Sequence, residues 1–177
     1  QRYLARQLRY VSKSKAVPLN ATDLGDLNVF PLETEKHFSS VISQCEAVLE
    51  LGAYLVLVGG DSSGLKALGA AVQNVINPDV PIVSLSNDNK LNLSKTQKII
   101  LSVDLKELAG KWLSKPRRLN GLSPSQIISQ INNIPNKIIA VAIFGLAPEL
   151  DSRGSTETQV ALNILEAVVK RLDKGAH

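Results

Sequence analysis

Four short, largely apolar runs punctuate the chain: Leu55 to Val58, Pro81 to Leu85, Ile99 to Val103 and Ile138 to Phe144. None alternates with polar residues over its length, which is the pattern of strands buried on both faces rather than strands with one wet side. Between and around them apolar residues recur at three- and four-residue spacing: Phe38, Val41, Ile42, Cys45, Val48 and Leu49; Leu65, Leu68, Val72, Val75 and Ile76; Ile127, Ile128 and Ile131; Ala161, Ile164, Leu165, Val168 and Leu172. These are amphipathic helices. Continuous apolar strands alternating with helices predict an α/β fold with a mostly parallel sheet covered on both faces, three layers in αβα order. No repeat or low-complexity stretch divides the chain.

The helix ends are also readable. Thr34 is placed to cap the first helix and Gly52 to close it, which puts Cys45 in the core. Ser123, Pro124 and Gln126 combine a cap, a proline at the first helical position and a capping-box partner. Thr156 and Gln159 repeat the box spacing before the last helix, where Lys170 and Arg171 sit well for the helix dipole.

Composition narrows the chemistry. With 177 residues and 44% hydrophobic content, one domain with a sizeable core is expected, and no apolar run reaches the roughly 18–20 residues of a membrane span. The single cysteine, Cys45, forms no internal disulfide and no cysteine cage for zinc or iron–sulfur, which points to a reducing compartment, cytoplasm or mitochondrial matrix. Two histidines, His37 and His177, exclude chemistry needing several imidazoles within one chain, and His37 is expected to be exposed rather than catalytic. No methionine is present even at position 1, so part of the translated chain is expected upstream.

The net charge of +4 is unevenly placed. Arg2, Arg6, Arg9, Lys13 and Lys15 precede the first acid, Asp23, which leaves −1 for the remainder. The chain therefore reads as a basic arm over 1–22 on a near-neutral domain over 23–177. A second basic cluster, Lys111, Lys115, Arg117 and Arg118, surrounds Pro116. Such runs are most often solvated faces. Nucleic-acid contact through the arm is the less favoured reading, and the arm also has the character of a targeting remnant or a docking element.

Ligands of parallel sheets bind beyond the carboxyl ends of the strands, so the residues to search are 59–64, 86–92, 104–107 and 145–151. Taken alone, Gly59 to Gly64 is a glycine-rich turn into a helix; it lacks the lysine of a P-loop and the spacing of a dinucleotide fingerprint. An anion held by Gly60, Ser62 and Ser63 is one reading. A plain capped helix is the other.

Taken in order, four segments resemble the ureohydrolases, the family of arginase, agmatinase and formiminoglutamase. Asp23-Leu24-Gly25-Asp26-Leu27-Asn28 is similar to the family's turn before its first long helix. Val58-Gly59-Gly60-Asp61-Ser62-Ser63 resembles its Gly-Gly-Asp-His-Ser. Ser102-Val103-Asp104-Leu105-Lys106 resembles its Ser-x-Asp-x-Asp, followed by Gly121-Leu122-Ser123, and residues 147–156 resemble the approach to its final helix. The resemblance implies an arginase-like fold over nearly the whole chain, shortened between Asn92 and Ile99. It also implies a lineage that hydrolyses guanidino and related C–N bonds with water held between two manganese ions.

The departures fall on the ligands. Ser62 stands at the family's first histidine. Ser86-Asn87-Asp88-Asn89-Lys90 stands at its Asp-x-His-x-Asp, so Ser86, Asp88 and Lys90 are the degenerate positions there. Lys106 replaces the second aspartate after Asp104, and Gly145 replaces the glutamate after the fourth strand. A dinuclear centre needs hard oxygen donors and neutral imidazoles, and an ammonium in place of a carboxylate reverses the charge it requires. The expectation is a pseudoenzyme without catalytic residues, metal or cofactor, acting as a structural or regulatory subunit of a homo- or hetero-oligomer or larger assembly. Lys90 and Lys106 are then expected to pair with Asp61, Asp88 or Asp104 in a neutralised site. The competing readings are an active manganese ureohydrolase that completes its ligand set from another segment, with Asp61, Asp88, Asp104 and Glu107 as residual acid–base groups, and a small-anion-binding module.

Overall fold

The structure, a computed structural model, describes residues 21–28, 30, 32–59, 62–85, 97–108, 121–145 and 156–174. In chain order these form α1 (Thr34–Glu50), β1 (Leu55–Val58), α2 (Ser63–Val75), β2 (Ile82–Ser84), β3 (Lys98–Asp104), a single 3₁₀ turn (Leu105–Glu107), α3 (Pro124–Asn133), β4 (Lys137–Phe144) and α4 (Thr156–Lys174). All four expected strands are present. They make one sheet in the order β1-β4-β3-β2, and every pairing is parallel.

The sheet is covered on both sides, as the unbroken apolar strands require. On one face Val83, Ile99, Leu101, Val103, Ile138, Val141 and Ile143 pack with Ile127 and Ile131 of α3 and Ile164, Leu165 and Val168 of α4. On the other, Ile100, Ile139, Ala140, Ala142 and Phe144 pack with Val41, Cys45 and Leu49 of α1 and Leu68, Ala71 and Val72 of α2. Three layers follow. The register between β3 and β4 slips once: Ile99 faces Ile138, whereas Ile100 faces Ala140. Ile139 is the extra residue, and it shares a core with its neighbour Ala140 instead of alternating with it.

Helix ends match the sequence in part. Ser123 Oγ accepts from Gln126 N–H at 3.2 Å and Gln126 Oε1 accepts from Ser123 N–H at 2.8 Å, so the capping box with Pro124 forms as expected. Gly52 adopts φ +73° and its N–H donates to Leu49 O at 2.9 Å, closing α1. Thr34, however, is the first helical residue; Glu33 occupies the cap position without a side-chain cap bond. Thr156 likewise already lies within α4, and the Gln159 amide donates onward to Asn163 Oδ1 at 3.0 Å. Phe38, expected on the buried stripe of α1, is 38% exposed.

The segment before α1 is strapped to it. Asp23 Oδ1 accepts from Gly25 N–H at 2.9 Å, and Gly25 turns through φ +84°. Asn28 then exchanges bonds with Gln44 and Ser40, and Phe30 N–H donates to His37 Nδ1 at 3.4 Å. His37 is thus half-buried rather than exposed.

Arg171 does more than sit near a helix end. Its Nη2 donates to Ile134 O at 2.8 Å and Asn136 O at 3.2 Å, while Asn136 Nδ2 donates to Gln97 O at 3.0 Å. One guanidinium therefore ties α4 to the entrance of β4, and through Asn136 to the entrance of β3. This fixes the end of the sheet opposite the candidate site.

Candidate functional site

Parallel pairing brings the carboxyl ends of the strands to one rim. Val58 lies beside Ile143, Phe144 beside Asp104, and Ser84 beside Ser102. The ladder runs one residue past two of the strands, since Gly59 N–H donates to Ile143 O at 2.9 Å and Leu85 N–H to Ser102 O at 3.2 Å.

At the middle of that rim, Asp104 ends β3 in an extended conformation. Its Oδ1 accepts from Lys106 N–H at 2.9 Å, which caps the Leu105–Glu107 turn. The turn is fastened by its apolar residues: Leu105 and Leu108 are fully buried, Leu108 bridges Leu122, and Leu122 N–H donates to Glu107 O at 2.8 Å. Beside it, β4 ends in Gly145 with φ +92°. A Cβ at that position would lie 2.6 Å from Asp104 Oδ1, and 3.2 Å from both Lys106 Cγ and Lys106 N. Asp104, Lys106 and Gly145 are therefore neighbours, each half-buried, with no room for a side chain at position 145.

Of the expected pairs between Lys90 or Lys106 and Asp61, Asp88 or Asp104, only Lys106 with Asp104 lies wholly within the described residues. Asp104 meets Lys106 through the backbone N–H, and among the described residues no ion pair joins the Lys106 ammonium to Asp104. Two residues after an extended cap, the amide is the nearest donor to the carboxylate.

At the end of β1, Ser62 caps α2 by position alone, with no side-chain cap bond, and both Ser62 and Ser63 are exposed. Gly64 is there for close approach, since a Cβ would come within 2.8 Å of Leu57 Cδ2. Gly60, Asp61, Ser86, Asp88 and Lys90 lie outside the described residues.

The described groups offer little reactive chemistry. Among them, no cluster of three or more His, Cys, Asp or Glu could hold a metal ion. The Cys45 thiol is pushed up from 9.0 to about 11, first by burial and then by the nearby Glu46 carboxylate, so it is an inert core group rather than a nucleophile. His37 Nδ1 is occupied by the Phe30 amide. The 3₁₀ cap at Asp104 was not read from the sequence; Asp-x-Lys before a leucine-rich segment was its only trace.

No protein-family model matches the chain, and no curated protein matches it by sequence. Solved structures do. A putative agmatinase from Clostridium difficile superposes with a TM-score of 0.77 over 99% of this chain and 91% of that one, at 14% identity. Proclavaminate amidino hydrolase from Streptomyces clavuligerus gives 0.75 over 89% and 77%, at 13% identity. The chain has the ureohydrolase fold. A third ureohydrolase-fold neighbour is an arginase-like protein from T. brucei, solved as a variant with three serines exchanged for aspartate and one arginine for histidine; its TM-score is 0.70 over 82% and 69%, at 14% identity. At such identities the ureohydrolase likeness carries the architecture alone, and the chemistry has to be argued from this chain's residues.

Proposed function

We propose that this chain is a ureohydrolase-fold protein that does not hydrolyse C–N bonds and serves instead as a structural or regulatory subunit of a protein assembly. The observation that carries the reading is the rim of β3 and β4, where a dinuclear manganese site would need several hard oxygen donors facing one space. The described residues of that rim do not fit that group. Asp104 turns Oδ1 into its own backbone turn, Lys106 brings an ammonium-bearing side chain to the next position, and Gly145 supplies no side chain. Ser62, exposed at the start of α2, offers a hydroxyl where the resemblance implies an imidazole.

The T. brucei arginase-like protein supports the same reading by analogy. Its variant introduces aspartates and a histidine where that protein has serines and an arginine. A hydroxyl and a cation are also what Ser62 and Lys106 present here, where the resemblance implies a histidine and an aspartate.

The test uses the full chain. Melting curves with and without millimolar manganese should superimpose, because a ligand bound well below its working concentration raises stability by RT ln(1 + [L]/Kd). Arginine and agmatine should yield no urea, and the native mass of the complex purified with the chain should exceed the 19.1 kDa of one copy. Two manganese ions bound per chain together with urea release would overturn the proposal, and so would a monomeric native mass.

A further inference from the structure

We infer that Asp104 and Gly145 form a steric latch that commits the carboxyl ends of β3 and β4 to a structural role, so that supplying a carboxylate at position 106 does not create a metal centre. The second half of this statement rests on the non-hydrolytic reading above; the latch itself does not.

The latch has two parts, each holding the other. Gly145 occupies φ +92°, a region that side-chain-bearing residues rarely adopt. Its missing Cβ would sit 2.6 Å from Asp104 Oδ1, far inside ordinary van der Waals contact, and 3.2 Å from the Lys106 backbone nitrogen, which cannot rotate aside as a side-chain tip would. The same Oδ1 accepts the Lys106 N–H. Moving the carboxylate away would therefore release the cap of the 3₁₀ turn. That turn leads into Leu105 and Leu108, both with no exposed surface, and into the Leu108–Leu122 bridge. The oxygen is held by a buried framework on one side and by a bare backbone on the other. That oxygen is an internal cap, accepting from the chain's own backbone.

Position 106 inherits the constraint. Lys106 Cγ already lies 3.2 Å from the place where a Cβ of residue 145 would stand, so an aspartate at 106 in the same rotamer carries its carboxyl carbon into the space that Gly145 leaves beside Asp104. Two carboxylates, without the further oxygen donors and neutral imidazoles that a dinuclear centre needs, do not make one.

A melting cycle over Asp104→Ala, Gly145→Ala and the double variant tests the latch. Gly145→Ala should lower Tm by roughly 5–10 °C, from positive-φ strain plus the clash, and by measurably less in the Asp104→Ala background, where the clash with Oδ1 is gone and the strain stays. A Gly145→Ala shift under about 1 °C, or single-variant losses that simply add, would overturn it. Should Gly145→Ala fail to fold, recovery of a cooperative melt in the double variant supports the latch, and equal failure of both sinks it. Lys106→Asp is then melted with and without manganese chloride, and no shift is expected. A manganese-dependent rise confined to Lys106→Asp would overturn this inference while leaving the proposed function intact. A rise in the unsubstituted chain, together with urea released from arginine or agmatine, would overturn the proposed function and leave the cycle standing.

Discussion

Replacing Arg171 with alanine removes two hydrogen bonds from a charged donor, at 2.8 Å to Ile134 O and 3.2 Å to Asn136 O. Both acceptors belong to residues 3% or less exposed, so neither carbonyl is easily taken over by water. Hydrogen bonds to charged groups contribute about 1.5–3 kcal/mol each. The guanidinium is only half-buried, which discounts the pair to about 3 kcal/mol in total. The alternative role of this residue, a cation near the carboxyl end of α4, is worth at most about 1 kcal/mol and is screened by salt. The clamp should dominate. Urea denaturation at pH 7 is expected to show a loss of about 3 kcal/mol for Arg171→Ala with an unchanged slope, and a Tm lower by about 6–12 °C. Arg171→Lys separates the two roles, because it keeps the charge and loses the planar fork; it should recover less than half of the loss, at 50 mM and 500 mM salt alike. Arg171→Lys as stable as the unsubstituted chain, or Arg171→Ala within about 1 kcal/mol of it, would refute the clamp.

Ser123→Ala should cost about 1 kcal/mol in the same urea assay by opening the capping box of α3, and a loss under about 0.3 kcal/mol would show that Pro124 alone starts the helix. Cys45 gives a pH signature. Below pH 9.0 folded and unfolded chains both keep the thiol proton; between 9.0 and about 11 only the unfolded thiol ionises, so its contribution to stability falls as pH rises through that window. Cys45→Ala should flatten the decline relative to the unsubstituted chain, and identical slopes for the two proteins would contradict the buried, neutral thiol. In the native chain Cys45 should also resist thiol reagents at pH 8 until denaturant is added.

What the sequence made legible is what lies close along the chain. The strands at 55–58 and 138–144 announce themselves because nothing polar interrupts them, and Ser123-Pro124-Gln126 because a capping box closes within four residues. Thr34 misled by one position: a hydroxyl before an apolar stripe marks a helix start without saying whether it lies just outside or just inside the first turn. Phe38 fits the α1 stripe by spacing, yet it stands one turn before the first buried residue, Val41. Arg171 was visible only as a charge near a helix end, because its acceptors are 35 and 37 residues away. At the rim, the residue identities of Asp104, Lys106 and Gly145 were legible as departures from a ureohydrolase pattern. Their juxtaposition was not, since a positive φ and the lack of room for a Cβ beside Asp104 Oδ1 belong to the packing of two strands against each other.

The slipped register at Ile139 bears on how this chain tolerates length changes. From its first pair to its last, β4 uses one more residue than β3 over the same stretch of ladder, Lys137 to Phe144 against Lys98 to Asp104. Losing Ile139 would bring Ile138 and Ala140 into plain alternation and leave the inward or outward sense of Val141 to Phe144 as it stands, at the cost of one greasy side chain. Losing a residue from the paired stretch beyond it would invert whichever part of the strand follows or precedes the cut. The bulge is thus a slack link between two moored ends, Asn136 at one and Gly145 at the other, and a place where this sheet can shed a residue without being rethreaded.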